Sequence, residues 1–211
     1  MIRAPATLKL FRLLLALAVT AQFSAACRGV DNASANGYIQ AKYDDNGRLK
    51  QLFYDRHKNG RVDTVAFMDG TRFVRIEIDS DEDGVVDRWE YYGADQTLER
   101  VGISKANDGQ PDTWVYRDVK DNVSKIEIST RRDGKVSRTE YYENNSLARA
   151  EEDSDGDGKV DRWESYVGGV LRAVAFDTTA SGRPDRLLVY GANGTLERLE
   201  LDPNGPASGA Q

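Results

Sequence analysis

The chain has 211 residues, 29 of them basic and 35 acidic, for a formal net charge of −6, with one cysteine and one histidine. That balance disfavours a nucleic-acid backbone or an anionic lipid surface as partner and suits divalent cations. A single Cys excludes an internal disulfide, and a single His excludes a histidine-rich metal cluster.

Residues 1–26 read as a signal peptide of the lipoprotein type. "MIRAPATLKLFR" carries Arg3, Lys9 and Arg12, "LLLALAV" adds a short apolar run, and "TAQFSAAC" supplies small residues before a cleavage point. The run is too short to span a bilayer comfortably. "SAAC" resembles the lipobox of bacterial lipoproteins, with Ser24 where that family usually has Leu. The resemblance implies cleavage before Cys27 and lipidation of Cys27. The alternative is ordinary signal-peptidase cleavage after Ser24-Ala25-Ala26, which leaves a free N-terminal thiol. Arg28 follows the Cys where Asp would signal inner-membrane retention, so the resemblance implies the outer membrane of a Gram-negative bacterium. Cleavage removes three basic residues and no acidic ones, leaving 26 against 35, net −9. Residues 27–37, with "RGVDNASANG", read as a flexible tether.

From residue 38 to 202 the chain repeats. Loop glycines fall at Gly60, Gly84, Gly109, Gly134, Gly158 and Gly182, in steps of 24 or 25 residues. A half-copy, "YDDNGRLKQLFYD" (43–55), lines up with "YGANGTLERLELD" (190–202). Each copy holds two alternating segments. The first places Trp89/Tyr91, Trp114/Tyr116, Thr139/Tyr141 and Trp163/Ser165 in matching pairs. The second places Ile76/Ile78, Val101/Ile103, Ile126/Ile128 and Val174/Phe176 in pairs. Period-two alternation rich in β-branched and aromatic residues predicts strands with one covered face. Asn-Gly and Gly-Gly pairs predict tight hairpin turns. The expected fold is all-β: a repetitive antiparallel hairpin meander of about six repeats and roughly thirteen short strands, forming an elongated, twisted sheet that could roll. A propeller would need about 40 residues per blade. Residues 203–211 read as a disordered tail.

"YDDNGRL", "YENNSLAR" and "YGANGTLER" resemble the Tyr-x-x-Asn-Gly-x-Leu unit of bacterial MORN-type repeats, over residues 43–202. The resemblance implies antiparallel hairpins, and it alone suggests an immunity-type lipoprotein that binds a protein toxin. The inserted acidic loop departs from that family.

"DSDEDGVVDRWE" (79–90) and "DSDGDGKVDRWE" (153–164) resemble the twelve-residue EF-hand calcium loop. The expected ligands are Asp79, Asp81, Asp83, the Val85 carbonyl, Asp87 and Glu90 in one loop. In the other they are Asp153, Asp155, Asp157, the Lys159 carbonyl, Asp161 and Glu164. Calcium takes six to eight oxygens, and Gly at position 6 permits the sharp turn. Loops between strands resemble FG-GAP-type repeats instead, where the position-9 Asp closes the site and a strand can turn Glu90 and Glu164 away. Asp and Gly also form turns without metal, but six acidic side chains within 79–90 repel one another unless a cation neutralises them. The other four copies carry His57, Ala106, Arg131 and Thr179 at position 3 and read as turns of the same shape.

No nucleophile–base constellation or phosphate loop is visible, so no enzymatic activity is expected. Trp89, Trp114 and Trp163 read as core, and Tyr92, Tyr142, Tyr166 and Tyr190 as the more exposed stripe. The expected role is non-catalytic: a calcium-binding, lipid-anchored envelope protein with a binding or structural function. Two principal calcium sites and a membrane attached through Cys27 are its partners, with an envelope glycan or protein as a further one and no nucleic acid. A wall-polysaccharide-binding module is the alternative.

Overall fold

The computed structural model describes residues 38–202. The expected signal peptide (1–26), the anchor Cys27, the tether (27–37) and the tail (203–211) lie outside the described residues. Alternating segments are joined by tight turns and acidic loops in alternation, and both fold the chain back, so sequential strands pair. The first hairpins are β1 (Ile39–Tyr43) with β2 (Leu49–Tyr54), β3 (Thr64–Asp69) with β4 (Arg72–Ile78), and β5 (Arg88–Tyr92) with β6 (Leu98–Ile103). Next come β7 (Thr113–Arg117) with β8 (Val123–Ile128) and β9 (Arg138–Glu143) with β10 (Ser146–Glu152). The last two are β11 (Arg162–Val167) with β12 (Val170–Phe176) and β13 (Arg186–Tyr190) with β14 (Leu196–Leu201).

The 14 strands of the described residues form one antiparallel sheet in chain order. The described residues contain no helix, and the sheet is an open meander that does not close into a barrel. The strand count exceeds the expected thirteen because Ile39–Tyr43 pairs ahead of the first half-copy. Each tight hairpin shifts register beside its turn, where the second strand carries an extra residue: Val74 opposite the Phe67–Met68 step, Glu99 opposite Tyr91–Tyr92, and Arg172 opposite Ser165–Tyr166. An extra residue at that point leaves the ladder unpaired locally and increases the right-handed twist.

The register corrects the expectation of a single covered face. Residues directly opposite in antiparallel strands share a face. Ile76 lies opposite Glu90, and Glu90 opposite Val101. Trp89 lies opposite Glu77 and Gly102. The two apolar columns therefore stand on opposite sides of the sheet. The side of Ala66, Ile76, Val101, Ala150 and Val174 is the better buried, each of them 3% exposed or less. Among the described residues no second layer covers it. Long side chains instead close over small ones: Arg138 on β9 reaches Glu164 on β11 at 2.7 Å, across Ala150 on β10.

The tyrosine column is on this buried side, which corrects its expected exposure. Tyr92 is 8% exposed and donates to Glu90 at 2.7 Å, Tyr142 donates to Glu140 at 2.8 Å, and Tyr166 to Glu164 at 2.6 Å. On the other side, cations from even strands lie over aromatic rings of odd ones. Arg75 sits 4.1 Å from the Phe67 ring, Arg100 4.4 Å from Tyr91, Lys125 4.1 Å from Tyr116 and Arg149 3.5 Å from Tyr141. Trp89 is 9% exposed, whereas Trp114 and Trp163 are only half-buried.

Candidate metal centres

Six loops join successive hairpins at one end of the sheet: 55–63, 79–87, 104–112, 129–137, 153–161 and 177–185. They are stacked by backbone bonds. The N–H of Asp79 donates to the carbonyl of Asp63 at 2.9 Å, that of Ser104 to Asp87 at 2.8 Å, and that of Asp153 to Ser137 at 2.8 Å. Numbered within each loop, positions 1 and 9 thus extend the sheet ladder.

The side chains of positions 1, 5 and 9 fold the loop itself. Position 1 accepts the N–H of the position-6 Gly: Gly60 to Asp55 at 2.7 Å, Gly84 to Asp79 at 2.7 Å, Gly158 to Asp153 at 3.0 Å. Position 5 accepts the N–H of position 7: Val85 to Asp83 and Lys159 to Asp157, both at 2.8 Å. Position 9 accepts the N–H of position 2: Ser80 to Asp87 at 2.8 Å and Ser154 to Asp161 at 2.9 Å. Equivalent bonds recur in loops without an acidic position 3, as from Arg56 to Asp63 and from Thr178 to Asp185, each at 2.7 Å. Gly84 and Gly158 adopt φ of +97° and +90°, values an L side chain rarely reaches.

These bonds favour ionised carboxylates. Burial opposes the charge on Asp177, but the N–H groups of Ser181, Gly182 and Thr179 outweigh it and lower its pKa to about 2. At Asp153 burial also raises the pKa, and the N–H groups of Gly156 and Gly158 bring it below the ordinary value.

Position 3 distinguishes two loops from the rest. Asp79, Asp81 and Asp87 bring carboxylate oxygens within 4.8 Å of one another, and so do Asp153, Asp155 and Asp161. Asp83 and Asp157 stand beside these trios, each joined by the position-5 N–H to the position-3 carboxylate: Asp83 to Asp81 at 3.3 Å, Asp157 to Asp155 at 3.0 Å. The trios differ in their neighbours. Asn107 of the next loop donates to Asp83 at 2.5 Å, and Arg131 of the preceding loop pairs with Asp153 at 3.4 Å.

Glu90 and Glu164 stand elsewhere. Both occupy the third position of their strands and project from the buried face of the sheet. Glu90 accepts from Arg88 and Tyr92. Glu164 accepts from Arg138, Arg162 and Tyr166 and is 6% exposed. Burial raises the Glu164 pKa, and the two arginines with Tyr166 lower it further than burial raises it. Arg138 also pairs with Glu140 and Glu152, both at 3.0 Å. The sequence signal for this network was the Arg-x-Glu-x-Tyr spacing of 88–92, 138–142 and 162–166.

No protein-family model matches the sequence, and no curated protein matches it. Among solved structures, the GtfA/B complex bound to UDP and GlcNAc is similar at TM-score 0.36 and 13% identity, over 49% of this chain and 22% of that one. TarM is similar at TM-score 0.36 and 11% identity, over 56% and 25%. The accessory secretory proteins 1, 2 and 3 of Streptococcus pneumoniae give TM-score 0.27 and 14% identity, over 56% and 19%. The likeness spans about a quarter or less of each of those chains, and at these TM-scores it carries no argument about what this chain does.

Proposed function

We propose that this is a non-catalytic, calcium-binding repeat protein whose loop edge is clamped by two ions, one in loop 79–87 and one in loop 153–161. One observation carries the reading. The acids at positions 1, 5 and 9 serve the loop's own N–H groups in every copy that has them, but the position-3 acids Asp81 and Asp155 occur in only two copies. There they complete a trio with positions 1 and 9 whose carboxylate oxygens lie within 4.8 Å of one another. Three converging negative charges cost stability until a cation neutralises them, and an all-oxygen set suits a hard ion. The proposed ligands are Asp79, Asp81, Asp83, the Val85 carbonyl and Asp87, with Asp153, Asp155, Asp157, the Lys159 carbonyl and Asp161. Glu90 and Glu164 are left out, because Arg and Tyr side chains already hold them.

The cellular setting belongs to the same proposal: lipidation at Cys27 and attachment to the outer membrane of a Gram-negative envelope. Calorimetry with calcium and with Asp81→Ala and Asp155→Ala tests the ion sites. Two binding events in the wild type and one in each variant are expected; no heat and no change in melting at millimolar calcium would reduce the loops to turns.

A glycan-binding role keeps one observation in its favour. On the tryptophan side a depression of about 280 Å³ opens beside Trp163, floored by Ser165, Ala173 and Ala175 and edged by Arg149 and Glu151. Quenching of tryptophan fluorescence by a wall polysaccharide, lost in Trp163→Ala, would move the assignment to that face.

A further inference from the structure

Position 4 of every loop has a left-handed backbone: Lys58, Glu82, Asn107, Arg132, Gly156 and Ala180 have φ between 55° and 88°. At Glu82 and Asn107 this residue's side chain turns back over the loop before it. Asn107 reaches Asp81 and Asp83 in this way. Its own buried Oδ1 has no hydrogen-bond partner there. Glu82 reaches loop 55–63, whose position 3 is His57, the one histidine of the chain.

There Glu82 hydrogen-bonds both His57 Nδ1 and the Asn59 amide. His57 Nδ1 also lies 3.8 Å from Asp63 Oδ2, and the ligand atoms of His57, Asp63 and Glu82 all fall within 4.8 Å of one another. We propose that His57, Asp63 and Glu82 form a third metal site, shared between two repeats, that takes a borderline divalent ion of the zinc class.

The donor set decides the class. Calcium prefers oxygen alone, whereas an imidazole nitrogen with two carboxylates suits zinc and its neighbours. Bonds of about 2.0–2.2 Å to a tetrahedral ion put ligand atoms about 3.4 Å apart, so the His57–Asp63 pair needs to close by only a few tenths of an ångström. Glu82 has to open away from His57, which its flexible stem allows. The His57 side chain is 52% exposed, leaving room for water at the fourth position. Asp63 is fixed in place by the Arg56 N–H and the Thr64 hydroxyl, both at 2.7 Å. Two cations stand nearby: Arg56 flanks Asp63 and shares its charge with an incoming ion, and Lys58 is engaged elsewhere. Arg56 donates to the Ser80 carbonyl at 3.2 Å, with its Nε 4.0 Å from Asp63, and Lys58 lies over the Tyr38 ring.

The test is zinc calorimetry on the full chain at saturating calcium, with Co²⁺ absorption as a spectroscopic probe of nitrogen–oxygen ligation. One zinc-class ion per chain is expected to bind at this site. Glu82→Gln and His57→Ala should each weaken it at least on the order of tenfold, the loss seen even for outer-sphere partners. His57→Asp, which gives this loop the position-3 acid of the calcium loops, should lose the cobalt band. Circular dichroism identifies any variant that fails to fold, and Glu82→Gln, the mildest change, then stands as the deciding one. Absence of zinc binding, or zinc binding indifferent to these substitutions, overturns the proposal. Zinc binding without any calcium binding would sink the reading of loops 79–87 and 153–161 while supporting this site.

Discussion

Glu164 meets two arginines and a tyrosine, and every one of these contacts favours its ionised form. The twelve-residue loop pattern placed it at the ligand position that closes an EF-hand. That pattern holds only where a helix follows. Here position 12 is the third residue of β11, and alternation sends it to the sheet face. The convergence of the loop acids was legible because their spacing depends only on the turn; for Glu90 and Glu164 the sequence left two directions open, because theirs depends on the element that follows. Glu164→Gln should therefore leave calcium affinity unchanged. It should lower unfolding free energy by about 1.5–3 kcal/mol, the range for hydrogen bonds to charged groups, since Arg138 keeps Glu140 and Glu152. Chemical denaturation beside calcium calorimetry separates the two effects, and a large loss of calcium affinity would restore Glu164 as a ligand.

Among the elements, the loop and the hairpin each carry a constraint that can be tested separately. In the loop, Asp177 titrates at about 2 in the fold against an ordinary 3.8 in an open chain. Folding favours its ionised form, so its stabilising contribution is complete above about pH 4 and is lost as pH falls through 3.8 toward 2. Asp153 is shifted in the same direction. Melting temperature should accordingly fall across that window in metal-free protein, and Asp177→Asn should flatten the fall while lowering stability at neutral pH. In the hairpin, Gly102 lies between Trp89 and Trp114, and a Cβ there would come within 2.9 Å of the Trp114 ring. Trp114 also carries Arg100 at 4.7 Å from its ring. Gly102→Val should cost about 1–3 kcal/mol through overpacking, read by denaturant unfolding, and should shift tryptophan emission. The strands themselves were readable from alternation, but which segments share a face was not. That choice belongs to the register, and each acidic loop is long enough to let Ile76 meet either Trp89 or Glu90. The loop's backbone bonds select Glu90.

For the described sheet as a whole, each strand contacts only the strands before and after it in the chain. Stability in such an array is close to a sum of unit terms and neighbour terms, so a local gain stays local. Calcium at 79–87 would fasten the connection between β4 and β5, and calcium at 153–161 the connection between β10 and β11. One long reach modifies this: Arg138 ties β9 directly to β11, which extends the second clamp by a strand. Hydrogen exchange with and without calcium should show new protection in two separate bands, over β4–β5 and over β9–β11, with the intervening β7 least affected. Asp81→Ala should erase the first band and leave the second, and Asp155→Ala the reverse, because additivity holds for sites that share no partners. Uniform protection across all the strands would mean instead that the sheet opens as one cooperative unit, and the two substitutions would then each weaken both bands.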